Sequence, residues 1–314
     1  VPFKGTHFVY DGKTFDFIKK NLLPGYFFDI LDFHQPGIQT KYTDEKGYSH
    51  LLYLDDLDQK GYNLNKDFVY TINANNFRNE HFTKLSNKNY NVLALGCSYA
   101  FGAGLPEEFS WPRILESYIK DKKENTKLVN LGSPGLGVDS LINNLTSFIS
   151  VYGAPDAIFA LLPDMNRHVI FHPKVNGFLE YAPSTQNIED RKSDPYAFSK
   201  VRSYSFEERM YSSVNQIRML EELCKAYNIK LFWNSWSVVD SDIYTKLKFN
   251  NLCSFYNYSF IEEEVYLEEV YSTIPEKFKK YWDAARDVNH PGIKYMSNVA
   301  KVFFTGWKEI YENS

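Results

Sequence analysis

The passage from Asn91 to Trp111, NVLALGCSYAFGAGLPEEFSW, limits most strongly what this chain can fold into. It opens with an apolar run, Val92 to Leu95, that does not alternate and is stopped at once by Gly96. Such a run suits a strand buried on both faces, as in a parallel sheet. Small and turn-forming residues follow: Gly96, Cys97, Ser98, Gly102, Ala103, Gly104 and Pro106. A helix is predicted next, with Ser110 as N-cap, Pro112 in the first turn, and Ile114, Leu115, Tyr118 and Ile119 on one face. Strand, glycine-rich turn and helix together form the place where α/β proteins put a reactive side chain or a phosphate. A phosphate loop would need a lysine in the turn, and a dinucleotide fingerprint would need closer glycine spacing. Neither is present. What remains is Ser98, which taken alone is as simply a turn-closing residue as a nucleophile.

The same alternation continues downstream. KLVNLG (127–132) reads as a second strand, followed by a helix whose Val138, Leu141, Ile142, Leu145, Phe148, Ile149 and Tyr152 share a face. DAIFALL (156–162) and IKLFWNSW (229–236) read as third and fourth strands, and YSFIEE (258–263) as a candidate fifth. Ser205 and Glu208 form a capping-box pattern before a helix carrying Met210, Val214, Ile217, Leu220, Cys224 and Tyr227. A last helix holds Ile293, Met296, Val299, Ala300, Phe303, Phe304, Trp307 and Ile310 on one side. These elements imply an α/β domain over 91–314, a parallel sheet with helices on both faces. Two stretches break the rhythm: 163–205, polar and proline-rich, suggests a lid or substrate loop, and 237–280 is a second irregular insertion. The Glu262–Glu264, Glu268 and Glu269 charges in it read as a solvated helix face.

Residues 1–90 read as an N-terminal extension packed on that domain. FVYDGKTF (8–15) suggests a hairpin around Asp11-Gly12, and SHLLYLDDLD (49–58) and KDFVYTINA (66–74) suggest strands.

Composition closes off several function classes. A net charge of −4 with both signs interspersed gives no footprint for nucleic acid. Cys97, Cys224 and Cys253 are odd in number and widely spaced, which fits neither a disulfide framework nor a zinc site. No run approaches the ~18 apolar residues of a membrane span, and VPFKGTHFVYDGK shows no signal-peptide pattern. A soluble protein, cytoplasmic or virus-associated, is the expectation. The 17% aromatic share fits an aromatic-lined cleft, a large interface or simple codon bias.

A serine hydroxyl needs a base to become a nucleophile, and imidazole oriented by a carboxylate is the usual device. Of seven histidines, His290 stands out in DVNHPG, with Asp287 three residues before it and Pro291 after it. Proline at the first helical position would make His290 a cap residue presented on the loop above the sheet. An oxyanion also needs donors. NLGSPGLG (130–137) offers the Gly135 N–H without a Cβ in the way, and LLPDMNRH (161–168) offers Asn166, with Asp164 and Arg167 as rivals. Asp164, His168 and His172 are spaced by four, which would align metal ligands only on a helix; no metal or cofactor is expected. Tyr181, Tyr196, Phe198, Arg202 and Tyr204 could stack on sugar rings or simply pack.

With these blocks in place, the chain resembles the SGNH/GDSL-type hydrolases over about residues 90–312. ALGCSYAFG, NLGSPG and DVNHPG match the family's successive blocks, and INANNFRNEHF (72–82) resembles a segment that often precedes the first in viral and bacterial members. The resemblance implies a three-layer α/β/α fold with a flavodoxin-like parallel sheet. It also implies an esterase acting through Ser98, His290 and Asp287, with Ser98 N–H, Gly135 N–H and Asn166 as oxyanion donors. A small-molecule or carbohydrate ester, an O-acetyl sugar for example, is the implied substrate. Two departures stand out: Cys97 replaces the Asp before the nucleophile, and PDMNR places Asn166 one residue late. They favour the rival, a non-catalytic carbohydrate-binding or virion-type structural protein on the same scaffold, against which the intact Ser, Asp and His argue; if an alcohol outcompetes water, the same site becomes an O-acyltransferase.

Overall fold

The computed structural model describes residues 38–53, 68–165, 167–172, 177–181, 205–247, 249, 252–253, 260–286 and 290–312. The predicted hairpin at 8–15, and Tyr196, Phe198, Arg202 and Tyr204, lie outside them, as do Asn166 and Asp287.

Three short strands come first: β1 (Ile38–Thr43), β2 (Ser49–Tyr53) and β3 (Tyr70–Ile72), paired antiparallel in that order. Tyr70 and Ile72 are fully buried and pack with Phe101 and Ala103, so this sheet bears directly on the loop after the first parallel strand.

That strand is β4 (Tyr90–Gly96), and it pairs in parallel with β5 (Thr126–Asn130) on one side and β6 (Ala157–Leu162) on the other. The antiparallel pair β7 (His168–His172) and β8 (Gly177–Tyr181) follows, and then β9 (Lys230–Ser235), which extends the parallel sheet beyond β6. The parallel strands therefore lie in chain order second, first, third, fourth. The flanking helices are α1 (Ser98–Phe101), α2 (Trp111–Lys120), α3 (Val138–Tyr152), α4 (Phe206–Ala226), α5 (Val238–Lys246), α6 (Phe260–Thr273) and α7 (Ile293–Glu312).

The three layers follow from the alternation of β4. Leu93 and Leu95 point into a core shared with Leu141, Leu145 and Phe148 of α3 and Ile217 and Leu220 of α4. Val92 and Ala94 point the other way, against Leu115 and Ile119 of α2 and Met296, Ala300 and Phe303 of α7. A strand apolar at every position is what two buried faces require. The capping box holds α4 at its start: Ser205 N–H donates to Glu208 Oε2 (2.6 Å) and Glu208 N–H to Ser205 Oγ (3.1 Å). Ser110 occupies the N-cap of α2, but its hydroxyl donates to the Glu107 carbonyl (2.7 Å) instead of accepting from the helix.

Several expectations are corrected. The proposed fifth strand at 258–263 is not formed over its second half, because Phe260–Thr273 is helical. Leu267 and Val270 turn inward while Glu264, Glu268 and Glu269 are exposed, a helical period that the short apolar run concealed. The edge beside β9 is taken instead by Leu252, in a parallel bridge to Trp233, with Cys253 N–H donating to Trp233 O (2.8 Å). The insertion at 237–280 is thus largely helical, and 163–205 contains the β7–β8 hairpin, whose five-residue strands are too short to stand out beside Pro173. Ile310 is 45% exposed, because the buried stripe of α7 ends at Trp307. Among the described residues, no helix is long and apolar enough to cross a membrane.

Candidate active site

Ser98 stands where β4 gives way to α1, after the fully buried Cys97. The turn is tight because glycine permits it. A Cβ on Gly96 would lie 2.7 Å from Ala100 Cβ, and one on Gly132 would lie 2.6 Å from Phe101 N, so α1 folds back against both strand ends. Asn130 joins the two loops: its side-chain amide donates to Ala100 O (2.8 Å), and its Oδ1 accepts from Gly132 N–H (2.8 Å). Ser133 N–H donates to Gly96 O (3.2 Å). Ser98 is only 5% exposed, with its Oγ 3.9 Å from Cys97 Sγ. Both residues are buried, the cysteine completely and the serine nearly so.

Below this turn sits Arg78, 1% exposed. Its Nη1 donates to Phe101 O (3.1 Å) and Gly102 O (2.9 Å), and its Nη2 donates to Leu105 O (2.9 Å). The guanidinium lies 4.7 Å from the centroid of the Tyr70 ring. Burial lowers its pKa from the ordinary arginine value, yet a guanidinium remains charged in a folded protein. A buried cation is tolerated because carbonyl oxygens and an aromatic face replace its water. The Tyr70 hydroxyl accepts from Gly104 N–H (2.7 Å), and Arg286 N–H donates to Gly104 O (2.9 Å). Gly104 thus ties the serine loop to the segment leading to Asp287 and His290.

His290 lies in a loop closed by an Ala284–Pro291 bridge and by Ala285 N–H donating to His290 O (3.0 Å). The helix behind it starts at Ile293, and the Gly292 carbonyl accepts from Met296 N–H (3.3 Å). His290 is therefore not the cap residue: Pro291 is held in the bridge and is not at the first helical position. Its imidazole meets the Tyr99 ring edge-on, with centroids 5.8 Å apart and planes at 73°. Tyr99 also packs on Trp236 (5.1 Å) and Tyr295 (5.8 Å). The histidine is thus fixed beside the residue that follows Ser98.

The other strand ends complete the rim. Pro134 and Gly135 form a turn closed by Leu136 N–H to Ser133 O (3.5 Å); Gly135 has φ of +85°, the left-handed value that glycine accepts at this turn position. After β6, Met165 N–H donates to Asp240 Oδ2 (2.8 Å). Burial pushes the Asp240 carboxyl up to about 6, with Asp164 adding to the rise against the Met165 hydrogen bond. Arg167 lies 5.7 Å from the Trp236 ring and donates from Nη1 to Leu136 O (3.4 Å), spanning three strand ends. His168 and His172 lie on a strand, where residues four apart are about 13 Å distant. Among the described residues, no group of three or more His, Cys, Asp or Glu side chains is arranged to hold a metal.

Ser98, Gly135, Arg167, Trp236 and His290 thus line the carboxyl rim of the sheet, the edge where open α/β folds carry ligands. Tyr99, Trp236, Asn130 and Arg78 had no role assigned from the sequence. Trp236 Nε1 and Ser133 Oγ are buried here with no hydrogen-bond partner among the described residues.

No family profile matches the chain, and no curated protein does. Among solved structures, it is similar to a psychrotrophic esterase, EstA from Pseudoalteromonas sp., at 12% identity. That match covers 72% of this chain and 100% of EstA, with a TM-score of 0.39. A member of the lipolytic protein G-D-S-L family from Veillonella parvula matches at 12% identity over 71% of this chain and 99% of its own, with a TM-score of 0.36. The structure of TesA matches at 11% identity over 70% and 99%, with a TM-score of 0.40.

Proposed function

We propose that this protein is a serine hydrolase of carboxylic esters, an acyl or O-acetyl esterase acting on a small molecule or carbohydrate. The observation that carries this reading is the edge-on contact of the His290 ring with Tyr99, which sets an imidazole beside the residue following Ser98 on the carboxyl rim. In this reading Ser98 Oγ attacks the ester carbonyl while His290 takes its proton. Asp287, as a carboxylate, accepts a hydrogen bond from the N–H of the other ring nitrogen, which holds the tautomer and stabilises the imidazolium. The tetrahedral oxyanion is met by the Ser98 and Gly135 N–H groups and the Asn166 amide. Collapse expels the alcohol, protonated by His290, and leaves an acyl-serine. Water, deprotonated by His290, then releases the acid and restores the hydroxyl. Transfer of the same acyl group to an alcohol would make the enzyme an O-acyltransferase. The buried position of Cys97 favours the hydroxyl over the thiol as nucleophile.

A fluorophosphonate probe tests this directly. The expected result is one covalent label per chain, lost in Ser98→Ala and His290→Ala and kept in Cys97→Ala. Labelling that survives Ser98→Ala, or no labelling of the folded protein, overturns the reading and returns the chain to a non-catalytic role.

A further inference from the structure

The opposite rim, where the parallel strands begin, carries a groove of ≈ 470 Å³, within the range of small-molecule sites. Its walls come from every layer. Tyr90 opens β4, Asp156 precedes β6, Lys230 opens β9, and Lys123 lies just before β5. One side is an aromatic ladder on α7: Trp307 stacks on Tyr311 with centroids 4.6 Å apart and planes at 13°, and Phe304 stacks behind Trp307 at 5.7 Å. Tyr311 is 40% exposed. The Lys123 ammonium is held over the Tyr90 ring (4.1 Å) and near Tyr311 (5.2 Å). Tyr90 is fixed in turn by accepting from Trp307 Nε1 (2.9 Å).

The charges decide what such a groove would take. Among the described residues, neither Lys123 nor Lys230 has a carboxylate partner, although lysines elsewhere in the chain pair with Glu or Asp. Asp156 is engaged through Oδ2 by Asn91 N–H (2.7 Å). Two cations against one carboxylate leave a single positive charge, which suits one anionic group and disfavours a polyphosphate. Stacked rings offer a flat apolar face, and the polar rim offers partners for hydroxyls. We propose that this groove binds a sugar unit carrying one carboxylate, with the sugar ring against Tyr311 and its carboxylate between Lys123 and Lys230. The site stands apart from the ester chemistry, on the other edge of the sheet.

Calorimetric titration with digalacturonate tests it, with lactose and AMP as comparators. The expected result is one saturable site with Kd below about 1 mM. Lys123→Ala and Lys230→Ala should each weaken binding about tenfold, and added salt should weaken it further. Lactose should bind at least about tenfold more weakly than digalacturonate. Ser98→Ala should bind as the parent does, which separates this site from the proposed catalytic one. Absence of saturable binding overturns the proposal, as does binding indifferent to both lysine variants with their melting temperatures unchanged. Tighter binding of AMP than of digalacturonate would overturn it in favour of a nucleotide.

Discussion

The two edges of the parallel sheet are built by different means. At the carboxyl edge, position is set by backbone. The serine turn is threaded through glycines 96 and 132, zipped by Asn130, and hung on Arg78 by three carbonyls. At the amino edge, position is set by side chains: a ladder of rings on α7, a tyrosine, and Lys123 resting on aromatic faces. Proton transfer needs atoms placed within a few tenths of an ångström, and backbone hydrogen bonds supply that precision. Stacking on a ring tolerates sliding, and side chains suffice for it. The contrast teaches that one edge is fixed by backbone hydrogen bonds and the other by the packing of side chains, which suits the precision that the proposed proton transfer would need and the looser fit of the proposed stacking.

Four variants test how separate the edges are. The largest effect is expected from Ser98→Ala, which should lower ester hydrolysis by about 10⁴-fold or more while leaving calorimetric binding of digalacturonate intact; loss of both together would collapse the distinction. Arg78→Met should come next. It takes the guanidinium donor from the buried Phe101 and Leu105 carbonyls, while Gly102 O keeps only the Leu105 N–H (3.2 Å), and it should lower the unfolding free energy by about 3 kcal/mol in urea titration. Tyr99→Leu removes the ring against which His290 is set, and kcat should fall about tenfold with little change in KM; a change confined to KM would move Tyr99 from positioning to substrate binding. The smallest effect concerns Asp240, beneath the β6 loop. Its folded pKa, about 6, lies above the ordinary carboxylate value of 3.8, so the folded state holds the proton more tightly. Its contribution to stability is full below pH ~4, declines as pH rises through 6, and is flat above. Asp240→Asn keeps an acceptor for Met165 N–H and should erase that decline in melting temperatures measured from pH 4 to 7.

The strands of the parallel sheet and most helices were legible because each is written locally. Val92–Leu95 is apolar throughout, and Ser205 with Glu208 spells its own cap. The edge beside β9 was not legible, since one bridge at Leu252 leaves no periodic trace and the acidic helix after it borrows the look of a strand at Tyr258–Ile261. The turn carrying Ser98 could be read from its glycines. What holds the turn could not: Arg78 lies 20 residues upstream in a polar segment, and nothing in its neighbours says that its charge will be buried. The aromatic setting of His290 was hidden for the same reason, because Tyr99, Trp236 and Tyr295 meet only after four strands have been laid side by side.

Arg78 has a consequence for how far this chain can be trimmed. Among the described residues, a fragment beginning at Tyr90 would keep the four parallel strands and the helices α1 to α7, and by topology it would look whole. It would nonetheless lack the guanidinium that fastens residues 101–105 and the phenol that fastens Gly104. The stretch before the first parallel strand is thus the keystone of the serine turn, and a minimal version of this protein has to start upstream of Tyr70.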